Sequence, residues 1–193
     1  KLLAEGIKES QTIVTGNTII DALFSVLGKA RAAPFSESLL RQLPFLAKNE
    51  IPRIILITGH RRENFGSGFK EICAALKDLA KQFPDVQFIY PVHLNPNVLE
   101  PVKKTLSDLS NIHLIMPLDY LFFIKLMDIS TLILTDSGGV QEEAPSLGKP
   151  ILVMRNKSER PEAIEAGTAK LVGTNRNQII KEVCSLLADK KEY

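Results

Sequence analysis

Short apolar runs alternate with longer segments of helical period from Pro52 to the end of the chain. Strands in which nearly every residue is apolar are typical of a parallel sheet that is covered on both faces. The alternation of such strands with helices predicts an α/β fold with a doubly wound, mostly parallel sheet. The predicted strands are residues 54–58, 86–92, 112–116, 132–135, 151–154 and 170–172.

The segments between these strands place apolar residues three and four positions apart, as one buried helix face requires. Two segments show the pattern most clearly, one with Phe69, Ile72, Cys73, Leu76, Leu79, Ala80 and Phe83, the other with Ile179, Ile180, Val183, Leu186 and Leu187. Asn95 followed by Pro96 is typical of a helix start, because asparagine caps the first amides and proline fits the first turn.

The first 50 residues have a different pattern. We predict a short strand near residues 12–14, a helix from about Thr18, and a linker over residues 30–49 that contains a short helix at 36–43. We expect residues 1–49 to be the end of a first domain and an interdomain linker, and residues 50–193 to form the sheet domain. Because the chain does not begin with Met, we expect it to be a fragment.

The composition narrows the function classes. The 24 Lys and Arg residues nearly balance the 22 Asp and Glu residues, which excludes a strongly basic nucleic-acid surface. Any bound anion must therefore be held by a local site. Cys73 and Cys184 lie on predicted apolar helix faces, so we expect buried thiols and a reducing cytosol, and two cysteines do not make a metal site. No signal peptide is visible in the given residues, and no apolar run reaches the ~20 residues that a membrane span needs.

Polar residues follow the first predicted strand at the edge where open parallel sheets bind ligands. His60, Arg61 and Arg62 there supply donors for a phosphate or a carboxylate. The alternative is a solvated loop in which Arg62 only pairs with Glu63.

A second polar segment, residues 135–143, passes from a strand through two glycines into a helix. Gly138 and Gly139 allow close approach of a ligand to the backbone, the amides at the helix start favour an anion, and Ser137 adds a hydroxyl. Glu142 or Glu143 is suited to accept hydrogen bonds from ribose hydroxyls. The alternative is a tight turn with a helix cap.

Three further features remain open from the residues alone. The cations of residues 154–162 either close over a ligand or form a surface loop. His93 either faces the same crevice or is structural, whereas His113 is assigned to a strand. Phe122 and Phe123 have core spacing, although one such ring at the crevice could stack on a base. No nucleophile elbow, Walker loop or Gly-x-Gly-x-x-Gly fingerprint is present, so the residues favour a pyrophosphate-type ligand such as a nucleotide sugar.

Four motifs resemble the non-hydrolysing UDP-N-acetylglucosamine 2-epimerases, which have the two-domain glycosyltransferase-B fold. They are Gly-His-Arg-Arg-Glu-Asn at 59–64, Tyr-Pro-Val-His-Leu-Asn-Pro-Asn at 90–97, the run from Asp136 to Pro150, and Glu-Arg-Pro-Glu at 159–162. Val-Thr-Gly-Asn-Thr at 14–18 matches the passage between the two domains of that family.

The resemblance implies an isomerase that interconverts UDP-N-acetylglucosamine and UDP-N-acetylmannosamine by elimination and re-addition of UDP, with no cofactor and no metal. It implies a cytoplasmic homodimer of cell-envelope polysaccharide biosynthesis, in which residues 50–193 are the Rossmann-like UDP-binding domain. The remaining catalytic carboxylates would lie in a first domain, so we expect this chain alone to bind UDP weakly and not to epimerise it. Alternatives are a hydrolysing epimerase, a glycosyltransferase of the same fold, or a non-catalytic UDP-sugar sensor.

The resemblance also implies a role for individual residues. His60 would be catalytic and lie by the diphosphate and hexose, and Glu143 would bind the ribose hydroxyls. A regulatory UDP-N-acetylglucosamine site would include Arg61 and His93. The implied UDP-binding residues are His60, Phe123, Ser137, Gly138, Gly139, Glu143 and Arg160.

Overall fold

A six-stranded, wholly parallel sheet forms the centre of the computed structural model, which describes residues 2–158 and 160–188. The spatial order of the strands is β3-β2-β1-β4-β5-β6. All six predicted strands are confirmed to within a residue at each end. They are β1 Ile54–Thr58, β2 Gln87–Pro91, β3 Ile112–Ile115, β4 Leu132–Thr135, β5 Ile151–Val153 and β6 Ala169–Leu171.

Helices connect the strands and cover the sheet. They are α1 Thr18–Ala32, α2 Glu37–Gln42, α3 Ser67–Gln82, α4 Pro96–Leu106, α5 Tyr120–Ile129, α6 Val140–Ser146, α7 Pro161–Glu165 and α8 Arg176–Ala188. Short 3-10 helices span Leu3–Glu5, Glu9–Gln11, Pro44–Ala47 and Arg62–Asn64. Asn95 caps α4 as predicted, because its side chain accepts a hydrogen bond from the Asn97 amide at 2.9 Å.

Two apolar clusters lie on opposite faces of the sheet. One packs α3, α4 and α8 against strand residues such as Ile55 and Ile57. The other packs α1, α2, α5 and α6 against the alternate residues, such as Ile54 and Leu56. Since neighbouring strand residues point to opposite faces, this division follows directly from the apolar runs. The predicted doubly wound α/β fold is confirmed.

The N-terminal segment differs from its prediction. The predicted strand near residues 12–14 is wrong, because the structure shows no strand there and leaves Ile13 and Val14 83% and 94% exposed. Thr12 does have an extended backbone, but in the described part of the chain no strand lies beside it to pair with its amides. An isolated extended segment gains no ladder hydrogen bonds.

Residues 30–49 pack against the sheet layer more closely than their prediction as a linker suggested. Leu39 lies on α2, inside the predicted helix at 36–43, and Leu43 and Leu46 follow it into the same apolar cluster as α1. The assignment of residues 1–49 to another domain and a linker stays a prediction.

Both cysteines are free. The predicted burial is confirmed for Cys73, and burial raises the pKa of its thiol to about 12. Cys184 is only partly buried. None of the helices in the described part of the chain is long and apolar enough to cross a membrane.

Candidate nucleotide-sugar site

A cleft of about 300 Å³ opens at the carboxyl ends of the strands, around β1 and β4. The strand order reverses between these two strands, which is where open α/β sheets bind ligands. Six of the residues predicted from the sequence are brought together here, and Gly138 lies between two of them without lining the cleft. The lining residues are Thr58, Gly59, His60, Pro91, His93, Pro117, Leu118, Tyr120, Phe123, Ser137, Gly139, Val140 and Glu143.

The loop after β1 is fastened to the end of β4. The hydroxyls of Thr58 and Thr135 are 2.5 Å apart, and the fully buried Asp136 accepts hydrogen bonds from the backbone amides of His60 and Arg61. The sequence analysis assigned no role to Asp136 beyond its place at the start of the 136–150 motif. An acid directly after a buried strand was the available signal.

Gly59 lets this loop pass close to β2. Its carbonyl accepts a hydrogen bond from the Tyr90 hydroxyl at 2.9 Å, and a Cβ at position 59 would lie 2.9 Å from that oxygen. Any other residue at position 59 would push against the Tyr90 hydroxyl, so glycine allows the backbone to pass close to Tyr90 just before His60.

The rings of His60 and His93 stack on each other in the cleft lining. Their ring centroids are 5.5 Å apart and the ring planes differ by 13°. The His93 Nδ1 accepts from the Asn95 amide at 3.1 Å, which orients that ring. The His60 side chain is 42% exposed, so its ring remains accessible to a ligand.

Ser137 and Gly139, in the turn that follows β4, also line the cleft. The Ser137 amide donates to the Thr135 hydroxyl at 2.9 Å, and the Gln141 side chain donates to the Ser137 carbonyl at 3.1 Å. Both bonds fix the backbone of the turn. The Ser137 side chain takes no part in either bond.

Glu143 is the member of the acid pair that faces the cleft. The Tyr120 hydroxyl donates to its Oε1 at 2.6 Å, and both residues line the cleft with Phe123. Burial raises the pKa of Glu143, although the Tyr120 hydrogen bond opposes this, and burial also raises the pKa of Tyr120 to about 12. Tyr120 was missed by sequence reasoning. Its position one helical turn before Phe123 placed it on the same side of the helix.

Glu142 faces away from the cleft toward α1. Its carboxylate accepts from the Asn17 side chain at 2.9 Å and from Nε of Arg160, and these partners hold the pKa of Glu142 below its ordinary value. Arg160, which pairs with Glu142, is not among the residues that line the cleft.

The alternative pairing of Arg62 with Glu63 is wrong. Glu63 binds Arg155, with Nε of the guanidinium 2.5 Å from Oε1. Arg155 is one of the cations of the predicted basic segment, and this ion pair draws that segment toward the loop after β1. Within residues 2–158 and 160–188, no group of three His, Cys, Asp or Glu side chains is arranged to hold a metal ion.

The family model described as UDP-N-acetylglucosamine 2-epimerase matches residues 1–193. The chain belongs to this family. The UDP-N-acetylglucosamine 2-epimerases of Yersinia pestis and Escherichia coli K12 are 54% and 53% identical to it over 193 residues, which is 100% of this chain and 51% of each relative.

The fold agrees with that of a solved epimerase. The crystal structure of UDP-GlcNAc 2-epimerase from Neisseria meningitidis bound to UDP-GlcNAc superimposes with a TM-score of 0.89 and 48% identity, covering 100% of this chain and 51% of that one. The predicted Rossmann-like half of a glycosyltransferase-B fold is thereby confirmed. The chain spans about half the length of the epimerases it matches.

Proposed function

We propose that this chain is the UDP-binding half of a non-hydrolysing UDP-N-acetylglucosamine 2-epimerase. The intact enzyme would interconvert UDP-N-acetylglucosamine and UDP-N-acetylmannosamine by eliminating UDP and adding it back with C2 inverted. The observation that carries the proposal is the cleft in which His60, the Ser137–Gly139 turn and Glu143 converge. Membership of the epimerase family supports the reaction.

The diphosphate would lie between His60 and the Ser137–Gly139 turn. Elimination places negative charge on the departing UDP, so donors fixed around it stabilise the transition state. Each such donor can be worth about 2.7–4 kcal/mol. The exposed His60 ring, the Ser137 hydroxyl and the Gly138 and Gly139 backbone would supply these donors. Arg160, whose Nε donates to Glu142, would add a positive charge near the diphosphate.

The uridine would lie along α5 and α6. Glu143 is suited to accept from the ribose hydroxyls, because Tyr120 occupies Oε1 from one side and directs the carboxylate into the cleft. Phe123 would offer its ring to the base. A nucleoside binds well when an apolar ring and a small number of placed polar groups line one pocket.

Other parts of the intact enzyme complete this proposal. Arg61 and His93 would contribute to a regulatory UDP-N-acetylglucosamine site, and the 5.5 Å His60–His93 separation would bring that ligand close to the reacting sugar. Residues 1–49 would lead from the first domain, which would supply the acid and base carboxylates at C2 and C3. We further propose a cytoplasmic homodimer that serves cell-envelope polysaccharide synthesis without a cofactor.

Proton NMR of the intact protein in D2O with UDP-N-acetylglucosamine tests the reaction. UDP-N-acetylmannosamine that contains deuterium at C2 is the expected product. Free N-acetylmannosamine with UDP would instead indicate a hydrolysing epimerase. An unchanged spectrum with bound substrate would leave a glycosyltransferase or a sensor.

Two variants test the site in the same assay. Replacing His60 with Ala is expected to lower kcat by about 100-fold, the typical effect of removing one such donor. Replacing the exposed Arg62, which does not line the cleft, is the control and should leave kcat unchanged.

A further inference from the structure

Asp136 has an unusual position for a carboxylate. Its side chain is fully buried, yet it directly follows β4 and precedes Ser137, which lines the cleft. The Asp136 amide continues the pairing of β4 with β1 by donating to the Thr58 carbonyl at 3.0 Å. Its position is therefore set by the sheet and not by a flexible loop.

Both carboxylate oxygens of Asp136 accept hydrogen bonds from the loop after β1. The His60 amide lies 3.1 Å from Oδ1 and 3.0 Å from Oδ2. Oδ2 also accepts from the Arg61 amide at 2.9 Å and from the Asn64 side chain at 3.1 Å. These contacts fix the backbone of His60 and Arg61 and not only the orientation of their side chains.

The same arrangement reaches a third strand. The Asn64 side chain also donates to the carbonyl of Met154, directly after β5, at 3.1 Å. The loop after β1 is thus fastened to the ends of both β4 and β5. Ser137, the neighbour of Asp136 in sequence, lines the cleft.

Burying the Asp136 carboxylate between two loops carries a desolvation penalty. Removing the charge from water costs several kcal/mol unless donors replace the lost hydration. Here backbone amides supply those donors, and charge-assisted bonds of this kind are shorter and stronger than neutral ones. The benefit is a loop whose backbone is held in place before a ligand arrives, since preorganised groups need no rearrangement during binding.

We propose that Asp136 is a positioning residue for the diphosphate of the nucleotide sugar. It holds His60 and Arg61 at a fixed distance from the Ser137–Gly139 turn, and it does not contact the ligand itself because its side chain is fully buried. This inference rests on the proposed function and adds a residue to its site. It identifies the diphosphate, and not the uridine, as the part of the ligand that Asp136 serves.

Replacing Asp136 with Asn tests this role in the intact protein. The two side chains have the same shape. Asn, however, has one acceptor oxygen, and its amide NH2 group is a donor that would face the donors of the loop after β1. We expect UDP affinity to fall by about 10- to 100-fold, the range for hydrogen bonds to charged groups. Uridine has no diphosphate. The affinity of the variant for uridine should therefore stay within about twofold of that of the unsubstituted protein, as expected of a part of the site that is not coupled to Asp136.

The matched control is Asp85→Asn, the same substitution at an exposed position. Asp85 pairs with Arg53 at the opposite edge of the sheet, with Arg53 Nη2 and Asp85 Oδ2 2.7 Å apart. This variant should bind both UDP and uridine as the unsubstituted protein does. Calorimetric titration with each ligand measures both affinities.

A double-mutant cycle separates positioning from a general structural effect. If Asp136 acts through His60, adding Asp136→Asn to His60→Ala should weaken UDP binding much less than Asp136→Asn does alone. Independent effects would instead multiply to within about twofold. Multiplying effects, or an equal loss of UDP and uridine affinity in the single variant, would overturn the proposal.

A measurement on the unsubstituted protein covers the case in which Asp136→Asn does not fold. The His60 and Arg61 amides should exchange with solvent as slowly as those of neighbouring strands, because Asp136 accepts both. Exchange as fast as in an exposed loop would overturn the role of Asp136. The NMR assay tests the proposed reaction, whereas the titrations with UDP and uridine test the role of Asp136 without turnover. Failure of one proposal can therefore be distinguished from failure of the other.

Discussion

Glu142 and Glu143 are neighbours on α6 with opposite environments. Asn17 and Arg160 hold the pKa of Glu142 down, whereas burial raises the pKa of Glu143. Successive residues on a helix point about 100° apart, so one carboxylate faces α1 and the other the cleft. Residue type alone left both as candidates for the ribose, and the direction of each side chain separates them.

We expect Glu143→Gln and Glu142→Gln to change stability in opposite directions. The folded pKa of Glu143 is raised, so its effect on stability is most favourable below the unfolded pKa and is lost as the pH rises through the folded pKa. The Gln variant should therefore be more stable than the unsubstituted protein at neutral pH. The folded pKa of Glu142 is lowered, so its stabilisation is present above the unfolded pKa and Gln should remove it.

Thermal unfolding of both variants across the acid-to-neutral range measures these differences. Glu143→Gln should also weaken UDP binding, because a neutral amide accepts less strongly from ribose hydroxyls. A change in stability of the same sign for both variants at neutral pH would contradict the assignment of their environments.

Tyr120→Phe tests how Glu143 is held. The lost hydroxyl is the group whose hydrogen bond lowers the pKa of Glu143, so that pKa should rise further in the variant. The ribose contact proposed for Glu143 needs its ionised carboxylate. The pH below which UDP affinity falls should therefore move upward relative to the unsubstituted protein. An unchanged pH profile of UDP affinity would show that the Tyr120 hydroxyl does not influence Glu143.

At the scale of elements, α1 packs into the apolar cluster that covers one face of the sheet. Leu23 and Ala30 on α1 are fully buried, and the Arg31 guanidinium holds Asp128 on α5 with two hydrogen bonds of 2.8 Å. Since Arg31 is 61% exposed, the buried apolar residues and not this ion pair account for most of the attachment.

Leu23→Ala should therefore destabilise the chain strongly. Truncation of a fully buried leucine typically costs about 2–5 kcal/mol, because it removes apolar contact and leaves a cavity. The next residue, Phe24, is 53% exposed and gives the control Phe24→Ala, which should cost far less. Urea unfolding measures both. Equal losses would mean that α1 does not pack as the structure shows.

Elements with a clear local pattern of apolar residues could be predicted from the sequence. Each sheet strand is an apolar run bounded by polar residues, and α3 repeats its apolar positions at helical spacing, so pattern alone located them. The segment near residues 12–14 has a strand-like pattern as well, but a strand exists only beside a partner. Residues 44–47 were read as part of a linker, since the burial of Phe45 and Leu46 depends on the distant surface of the sheet.

At the scale of the whole molecule, the two apolar clusters cover both faces of the sheet. A reagent therefore reaches a residue inside a cluster only when a helix separates from the sheet. Cys73 lies on α3 in one cluster and is 1% exposed, whereas Cys184 lies on α8 at the edge of the same cluster. A thiol reacts as its thiolate, and burial raises the pKa of Cys73 to about 12.

Thiol labelling should therefore report two different events. Ellman's reagent should modify Cys184 in the native protein, while Cys73 should react only when the sheet and α3 separate. In a Cys184→Ser variant, labelling of Cys73 should accelerate with urea in parallel with global unfolding. Rapid labelling of Cys73 without denaturant would mean that α3 opens independently of the sheet.

The sequence by itself determined the sheet, its helices and the two loops at the ends of β1 and β4. These features depend on periodicity, on turn chemistry and on the rule that parallel strands present their carboxyl ends at one edge. The tertiary structure alone decided that Glu143 faces the cleft, that Arg160 pairs with Glu142, and that Asp136 fastens the loop of His60. Those outcomes depend on which side chains far apart in sequence come within hydrogen-bonding distance, and local pattern contains no information about such distances.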